Sequence, residues 1–222
     1  MTPQELKNSI LQLAIQGKLV PQRAEEGCAE ELYKQIQAEK KKLIKEKKIK
    51  KEKPLPEITD DEKPFDIPKT WKWVRLGEIG FYKKGPFGSA LTKSMFVPKS
   101  KDTIKVYEQK NAIKKDVSIG DYYIKKDYFE NKMKGFELFP GDIIVSCAGT
   151  IGETYVMPAN FERGIINQAL MKIKLFEPTH VPYFLMYFDF ILKKNAKINS
   201  KGSAIKNIPP FEILKKYVVP IP

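Results

Sequence analysis

The prolines Pro54, Pro56, Pro64 and Pro68 bracket a short acidic stretch, Asp60-Asp61-Glu62, and they constrain the fold more than any other feature. Proline removes a backbone donor and fixes φ, so no helix runs through the segment and a stiff, extended path replaces it. Residues 54–68 therefore read as a Pro-rich acidic linker. The apolar pattern changes period across it. Residues 1–53 carry helical spacing, whereas residues 69–222 carry short strand-like runs broken by turns. The expected class is α+β: a twisted mixed or antiparallel sheet with packed helices, preceded by an N-terminal helical segment.

Thr2-Pro3-Gln4-Glu5 opens the first helix. Thr2 supplies the cap, Pro3 suits the first helical position and Glu5 completes a capping box. Leu6, Ile10, Leu13 and Ala14 then share one apolar stripe, and Gly17 is placed to end the helix. A second helix is predicted from about Ala29, with Leu32, Ile36 and Leu43 on a narrow stripe that Glu39 interrupts. So charged a helix needs a surface to lean on. From Lys40 to Lys53 lysine dominates, relieved by Glu46 and Glu52. The run reads as a solvated helix face, with direct DNA contact as the alternative.

Beyond the linker, Trp71-Lys72-Trp73-Val74-Arg75-Leu76 alternates as a half-buried strand does. Gly80 to Ser89 reads as a strand end opening into a loop, and Gly141 to Ser146 as a turn feeding a buried strand; further strands are predicted at Ile104–Tyr107, Asp121–Ile124, Thr154–Met157 and Gln168–Leu175. Val181 to Asn195 is the one long helix, with Phe184, Leu185, Phe188, Ile191 and Leu192 on a common face.

A net charge of +13 calls for a partner class. Both sides of the linker are net basic, so the lysine run alone does not carry the signal. A polyphosphate, DNA or RNA, fits best; an anionic membrane surface and plain solubility are the other readings. No window approaches the ~20 apolar residues of a membrane span, and Met1-Thr2-Pro3-Gln4-Glu5 lacks the order of a signal peptide. The expectation is a cytoplasmic protein with no membrane partner. Cys28 and Cys147 are far apart and form neither a disulfide framework nor a zinc pattern.

The inventory for catalysis is thin. His180 is the only histidine, and a lone histidine at a helix start is a surface or capping residue. Cys147 ends an apolar strand with no histidine to activate it. Gly149-Thr150-Ile151-Gly152-Glu153 lacks the lysine of a P-loop and reads as a tight turn. In Asn207-Ile208-Pro209-Pro210-Phe211, Ile208 separates the asparagine from the prolines, unlike the Asn-Pro-Pro-Phe/Tyr motif of amino-methyltransferases. No catalytic residue and no metal ligand is expected.

Binding chemistry is richer. Lys83, Lys84, Ser89 and Lys93 surround the Gly85-Pro86-Phe87-Gly88 hinge, where they suit phosphates or a groove. Gln109, Lys110 and Asn111 follow a strand, and Asn167 and Gln168 precede another. Asn and Gln pair with adenine N6 and N7. Tyr122, Tyr123, Lys125, Lys126 and Tyr128 interleave aromatics with bases. Near the end, Lys201, Gly202, Ser203, Lys206 and Asn207 form a basic small-residue loop suited to a phosphate backbone or a base edge. For each residue alone, an ordinary loop polar or core aromatic is the competing reading.

Taken together these residues resemble the specificity subunit of bacterial type I restriction–modification systems. Trp71-Lys72-Trp73-Val74-Arg75-Leu76-Gly77-Glu78-Ile79 looks like the opening strand of a target recognition domain, and Gly85-Pro86-Phe87-Gly88-Ser89 like its first loop. Gly141 to Ser146 with Gly149-Thr150-Ile151-Gly152 is similar to the family's central strand and turn, and Gly202-Ser203-Ala204 through Pro222 to its end-of-domain signature. Ile10 to Pro21 is similar to the tail of the conserved helical spacer.

The resemblance implies that residues 69–222 are a DNA target recognition domain and 1–53 a segment of the conserved helical region. It implies a reader of double-stranded DNA with no catalysis and no cofactor of its own. Partner methyltransferase subunits carry S-adenosylmethionine, and a motor-nuclease subunit carries ATP. Two departures from the family stand out: one recognition domain where a complete subunit has two, and no long spacer helix after Pro222. The expectation is a half-length fragment, or a half-size subunit that pairs with a second copy or second half. The alternatives are a scaffold that binds only protein through residues 1–53, and a stand-alone DNA methyltransferase or nuclease.

Overall fold

Thr2 caps α1 (Pro3–Ile15) as its sequence predicts: its hydroxyl accepts from the Glu5 N–H at 3.2 Å, and the Glu5 carboxylate accepts from the Thr2 N–H at 2.7 Å. Gly17 ends the helix at φ +67°, a left-handed conformation that glycine adopts without cost. The stripe of Leu6, Ile10 and Leu13, however, faces outward, and Ile15 is the residue α1 buries.

The computed structural model describes residues 1–192, 209 and 211–222. Its class is α+β. Among the described residues, one compact unit takes 1–81, 175–192 and 211–222, and a second takes 82–174 and 209.

In the first unit, α2 (Ala29–Lys45) leans on α3 (Leu76–Ile79). Tyr33 Oη donates to Glu78 Oε1 at 2.7 Å, Gln37 Nε2 to the Glu78 carbonyl at 3.3 Å, and Lys40 Nζ to the Gly77 carbonyl at 3.1 Å. With Ile36 buried beneath, these contacts supply the support that a helix so rich in lysine lacks by itself. β1 (Lys72–Arg75) pairs antiparallel with β9 (Val218–Ile221), Val74 opposite Val219. A helical run, Val181–Tyr187 continuing as a π-turn over Phe188–Leu192, buries Phe184, Tyr187, Phe188 and Leu192. The remainder of the predicted 181–195 helix lies outside the described residues.

Arg75 is the polar hub of this unit. It is 3% exposed. Its guanidinium meets both Glu62 carboxylate oxygens, at 2.6 and 2.7 Å, and donates to the carbonyls of Pro56, Glu57 and Lys216. The Pro-rich segment is thereby docked at Pro56, Glu57 and Glu62. The Arg75 hydrogen bonds, with Thr59 assisting, hold the Glu62 carboxyl down at about 2. A depressed carboxyl adds stability above its unfolded value of about 4.3, and that stability is lost as pH falls through the folded value. Unfolding of the first unit should therefore become easier between roughly pH 4.5 and 2. Glu62→Gln should flatten that part of a pH–stability profile measured by urea titration.

In the second unit, β2 (Gly80–Lys84, its last three residues), β8 (Leu170–Leu175), β5 (Ile143–Ser146) and β6 (Thr154–Val156) form a sheet in the order β2-β8-β5-β6. A three-stranded sheet runs β4-β3-β7, with β3 (Thr103–Tyr107) antiparallel to β4 (Tyr123–Lys125) and parallel to β7 (Gly164–Ile166). One core cluster gathers Leu91, Ile104, Val106, Ile124, Phe129, Met133 and Ile165. The other gathers Tyr107, Ala112, Leu138, Ile144, Met157, Ile166 and Leu170. The second cluster includes Ala112 of a short helix, α4 (Gln109–Lys114), which packs on β5 and β6.

Candidate nucleic-acid interface

Backbone hydrogen bonds bring four loops to one rim of the second unit. The Gly85 N–H donates to the Leu170 carbonyl at 2.9 Å, placing the end of β2 beside the start of β8. The Cys147 N–H donates to the Ala169 carbonyl at 2.8 Å, bringing in the end of β5. The Asn167 N–H donates to the Tyr107 carbonyl at 2.9 Å, bringing in the ends of β3 and β7. Residues that lie far apart in sequence thus share one edge: Lys84 and Ser89, Gln109 and Lys110, Gly149 and Thr150, Asn167 and Gln168.

Most of the expected site residues in the described chain fall here, but not all are free to meet a ligand. Lys84 and Ser89 are exposed, Ser89 on the turn Gly88–Ala90. Lys83 is half-buried, its ammonium 4.9 Å from the Phe136 ring centroid. Lys93 is exposed on the next turn, Lys93–Met95, and no contact with a described residue ties it to the rim. Lys110 is exposed and pairs with Glu108 at 2.8 Å, a bond that raises its ammonium above the usual lysine value. Gln168 is exposed, with a long 3.5 Å contact to the Leu91 carbonyl. Lys201, Gly202, Ser203, Lys206 and Asn207 lie outside the described residues.

Three expectations are corrected. Asn111 does not face a base edge. It is buried, its oxygen accepts from the Glu108 N–H at 2.8 Å, and its amide donates to the carbonyls of Asp116 and Ile119 at 2.8 Å each. Its work is to start α4 and fold the chain back after it. Gly85 does not offer its N–H to a phosphate, because Leu170 takes it. A glycine stands there because a side-chain carbon would lie 1.8 Å from the Asn167 carbonyl oxygen. Asn167 spends its oxygen on the Ala169 N–H at 3.0 Å, shaping its own turn. The aromatics serve the interior too: Tyr123 is buried, and Tyr122 stacks on Phe96 at 4.4 Å.

The turn between β5 and β6, which is not among the binding residues expected from the sequence, also stands on the rim. Ser146 Oγ accepts from the Glu153 N–H at 2.9 Å and donates to the Thr150 carbonyl at 2.6 Å, and the Gly152 N–H donates to the Ser146 carbonyl. Gly149 and Gly152 take φ of +65° and +81°. The turn is rigid and presents Thr150 to solvent. Positive-φ glycines flanking a threonine are the signal in the sequence; their place on the rim depends on strand order.

Burial pushes the Cys147 thiol up to about 12 and lowers the half-buried His180 imidazole below its ordinary value. Among the described residues no group of three His, Cys, Asp or Glu side chains could hold a metal ion, and no helix is long and apolar enough to cross a membrane.

Residues 68–222 match the family model for the type I restriction modification DNA specificity domain. The specificity subunit of the Escherichia coli type I restriction enzyme EcoAI is 56% identical over 80 residues, which are 36% of this chain and 14% of that protein. The EcoEI specificity subunit, also from Escherichia coli, is 57% identical over 74 residues, 33% of this chain and 12% of its own length. The matched segments are thus a small part of those relatives. A chain from a solved structure of type I R-M system assembly and conformational transition aligns with all of this chain and 48% of itself, at TM-score 0.50 and 17% identity, a likeness of fold.

Proposed function

The chain belongs to the type I restriction modification DNA specificity domain family, and from that premise we propose that it reads double-stranded DNA by sequence for a type I restriction–modification enzyme and performs no chemistry itself. The observation that supports this most is the rim, where four loops bring exposed lysines and amides to one edge of a rigid sheet. Lysines there position the duplex through phosphates, and amide and hydroxyl side chains read base edges in the major groove.

Residues 69–222 form the recognition domain in this reading. Residues 1–53 dock on partner protein, through the stripe that α1 leaves exposed: Leu6 at 51%, Ile10 at 44% and Leu13 at 40%. The partners are methyltransferase and motor-nuclease subunits and a second recognition half, and the setting is cytoplasmic. A chain that bound only protein would lose its sole activity on deletion of residues 1–53, whereas a DNA reader keeps duplex affinity.

Fluorescence anisotropy with duplex DNA tests the proposal. If Lys84, Lys93 and Lys110 each neutralise one phosphate, log K falls against log salt with a slope of about −2.7. Lys84→Gln should weaken binding to all duplexes alike and reduce the slope by about one. Equal affinity for every duplex, or affinity indifferent to salt, would defeat the reading.

A further inference from the structure

We propose that Gln109 and Thr150 together read an A·T base pair, Gln109 the adenine and Thr150 its thymine side. The inference rests on the DNA-reading function and says which of the rim's groups does the reading.

Bidentate recognition of adenine needs one acceptor and one donor on the same amide, both uncommitted. Asn111 is buried and spent on three backbone groups. Asn167 gives its oxygen to its own turn, and Gln168 lends its nitrogen to Leu91. Gln109 differs from all three. Its Oε1 is cut off from water with no hydrogen-bond partner, and its Nε2 makes no hydrogen bond to any described residue. A polar atom held dry and unpaired raises the energy of the free protein and calls for an explanation. A ligand that pairs both ends of the amide as it swings outward supplies one.

Gly149 brings the second reader alongside. A side-chain carbon there would lie 3.9 Å from Gln109 Nε2, so the β5–β6 turn rests against this amide. Thr150, the next residue, is exposed, and its hydroxyl makes no hydrogen bond to any described residue while its carbonyl is pinned by Ser146. A threonine methyl packs on the thymine C5-methyl, and its hydroxyl can bond to either base. The pinned turn fixes where that side chain stands, as a base-reading group requires.

The test is selection of the full chain on double-stranded oligonucleotides randomised over about a dozen positions, sequenced before and after capture. The wild type should enrich a motif that contains an A·T pair. Gln109→Ala should lower the preference at that pair by about 5- to 150-fold and leave the melting temperature unchanged or higher, since no internal hydrogen bond is lost. Gln109→Glu, now only an acceptor, should move the preference at that position toward cytosine, whose N4 donates. Thr150→Ala should relax the same pair by a smaller factor. A wild-type motif that all three variants enrich unchanged would overturn the proposal, as would a fall in melting temperature for Gln109→Ala with the motif intact. No motif with the wild type would instead overturn the DNA-reading function, and the pair with it.

Discussion

Arg75→Met is expected to destabilise the first unit by about 3–5 kcal/mol, the range for removing one partner of a buried ion pair. Three backbone carbonyls, of Pro56, Glu57 and Lys216, lose their donor at once. Pro56 and Glu57 are neighbours in the Pro-rich segment and Lys216 stands just before β9, so the loss loosens that segment and the approach to β9 together. Arg75→Lys should recover only a fraction, because one ammonium cannot span partners arranged for a planar fork. Glu62→Gln should cost less than either, since that side chain is 36% exposed and water replaces part of what it loses. Both tryptophans, Trp71 and Trp73, lie in the first unit, so their fluorescence in a urea titration follows this unit selectively. A midpoint for Arg75→Met within error of the wild type would contradict the hub.

Gly85→Ala should cost about 1–3 kcal/mol, as forcing an extra carbon into a closed space does. The new carbon would lie 1.8 Å from the Asn167 carbonyl oxygen and close to the Gln168 backbone. These are backbone atoms, which cannot rotate aside. The loop after β2 and the turn before β8 must separate, so Lys84 and Gln168 move apart and duplex affinity falls with stability. Gly88→Ala is the matched control: nothing lies within 4 Å of its added carbon, so it should be near neutral. Equal melting temperatures for the two variants would show that the rim does not close at Gly85.

Where a signal was local, the fold could be read from residues alone. The capping box of Thr2 and Glu5 and the apolar run of β5 each sit within a few positions and appear as expected; β1 forms as a strand, but its burial does not alternate, because Arg75 is drawn inside with Val74. β7 escaped because Gly164-Ile165-Ile166 is three residues long and buried on both faces, so it has no alternation. α4 escaped because Glu108 and Asn111 cap it, in place of the usual Ser or Thr. The outward stripe of α1 shows the limit of periodicity, which gives a face but not what covers it.

For the candidate site, the sequence marks residue types but not which of them the fold leaves open. The loops that carry Lys84, Gln109 and Gln168 stand out in the sequence, yet nothing local distinguishes Asn111, turned inward, from Gln109, which has no hydrogen-bond partner among the described residues. That difference comes from where the chain folds back after α4. The convergence of four loops depends on the order β2-β8-β5-β6, a pairing of strands distant in sequence.

The pairing of β1 with β9 has a consequence for how such a module is carried. Lys72 stands opposite Ile221, so the chain enters and leaves through a single doorway two strands wide. Everything between is a closed loop hung from that doorway. Rearrangement inside that loop can therefore leave its two ends side by side, because the β1–β9 ladder alone fixes their separation.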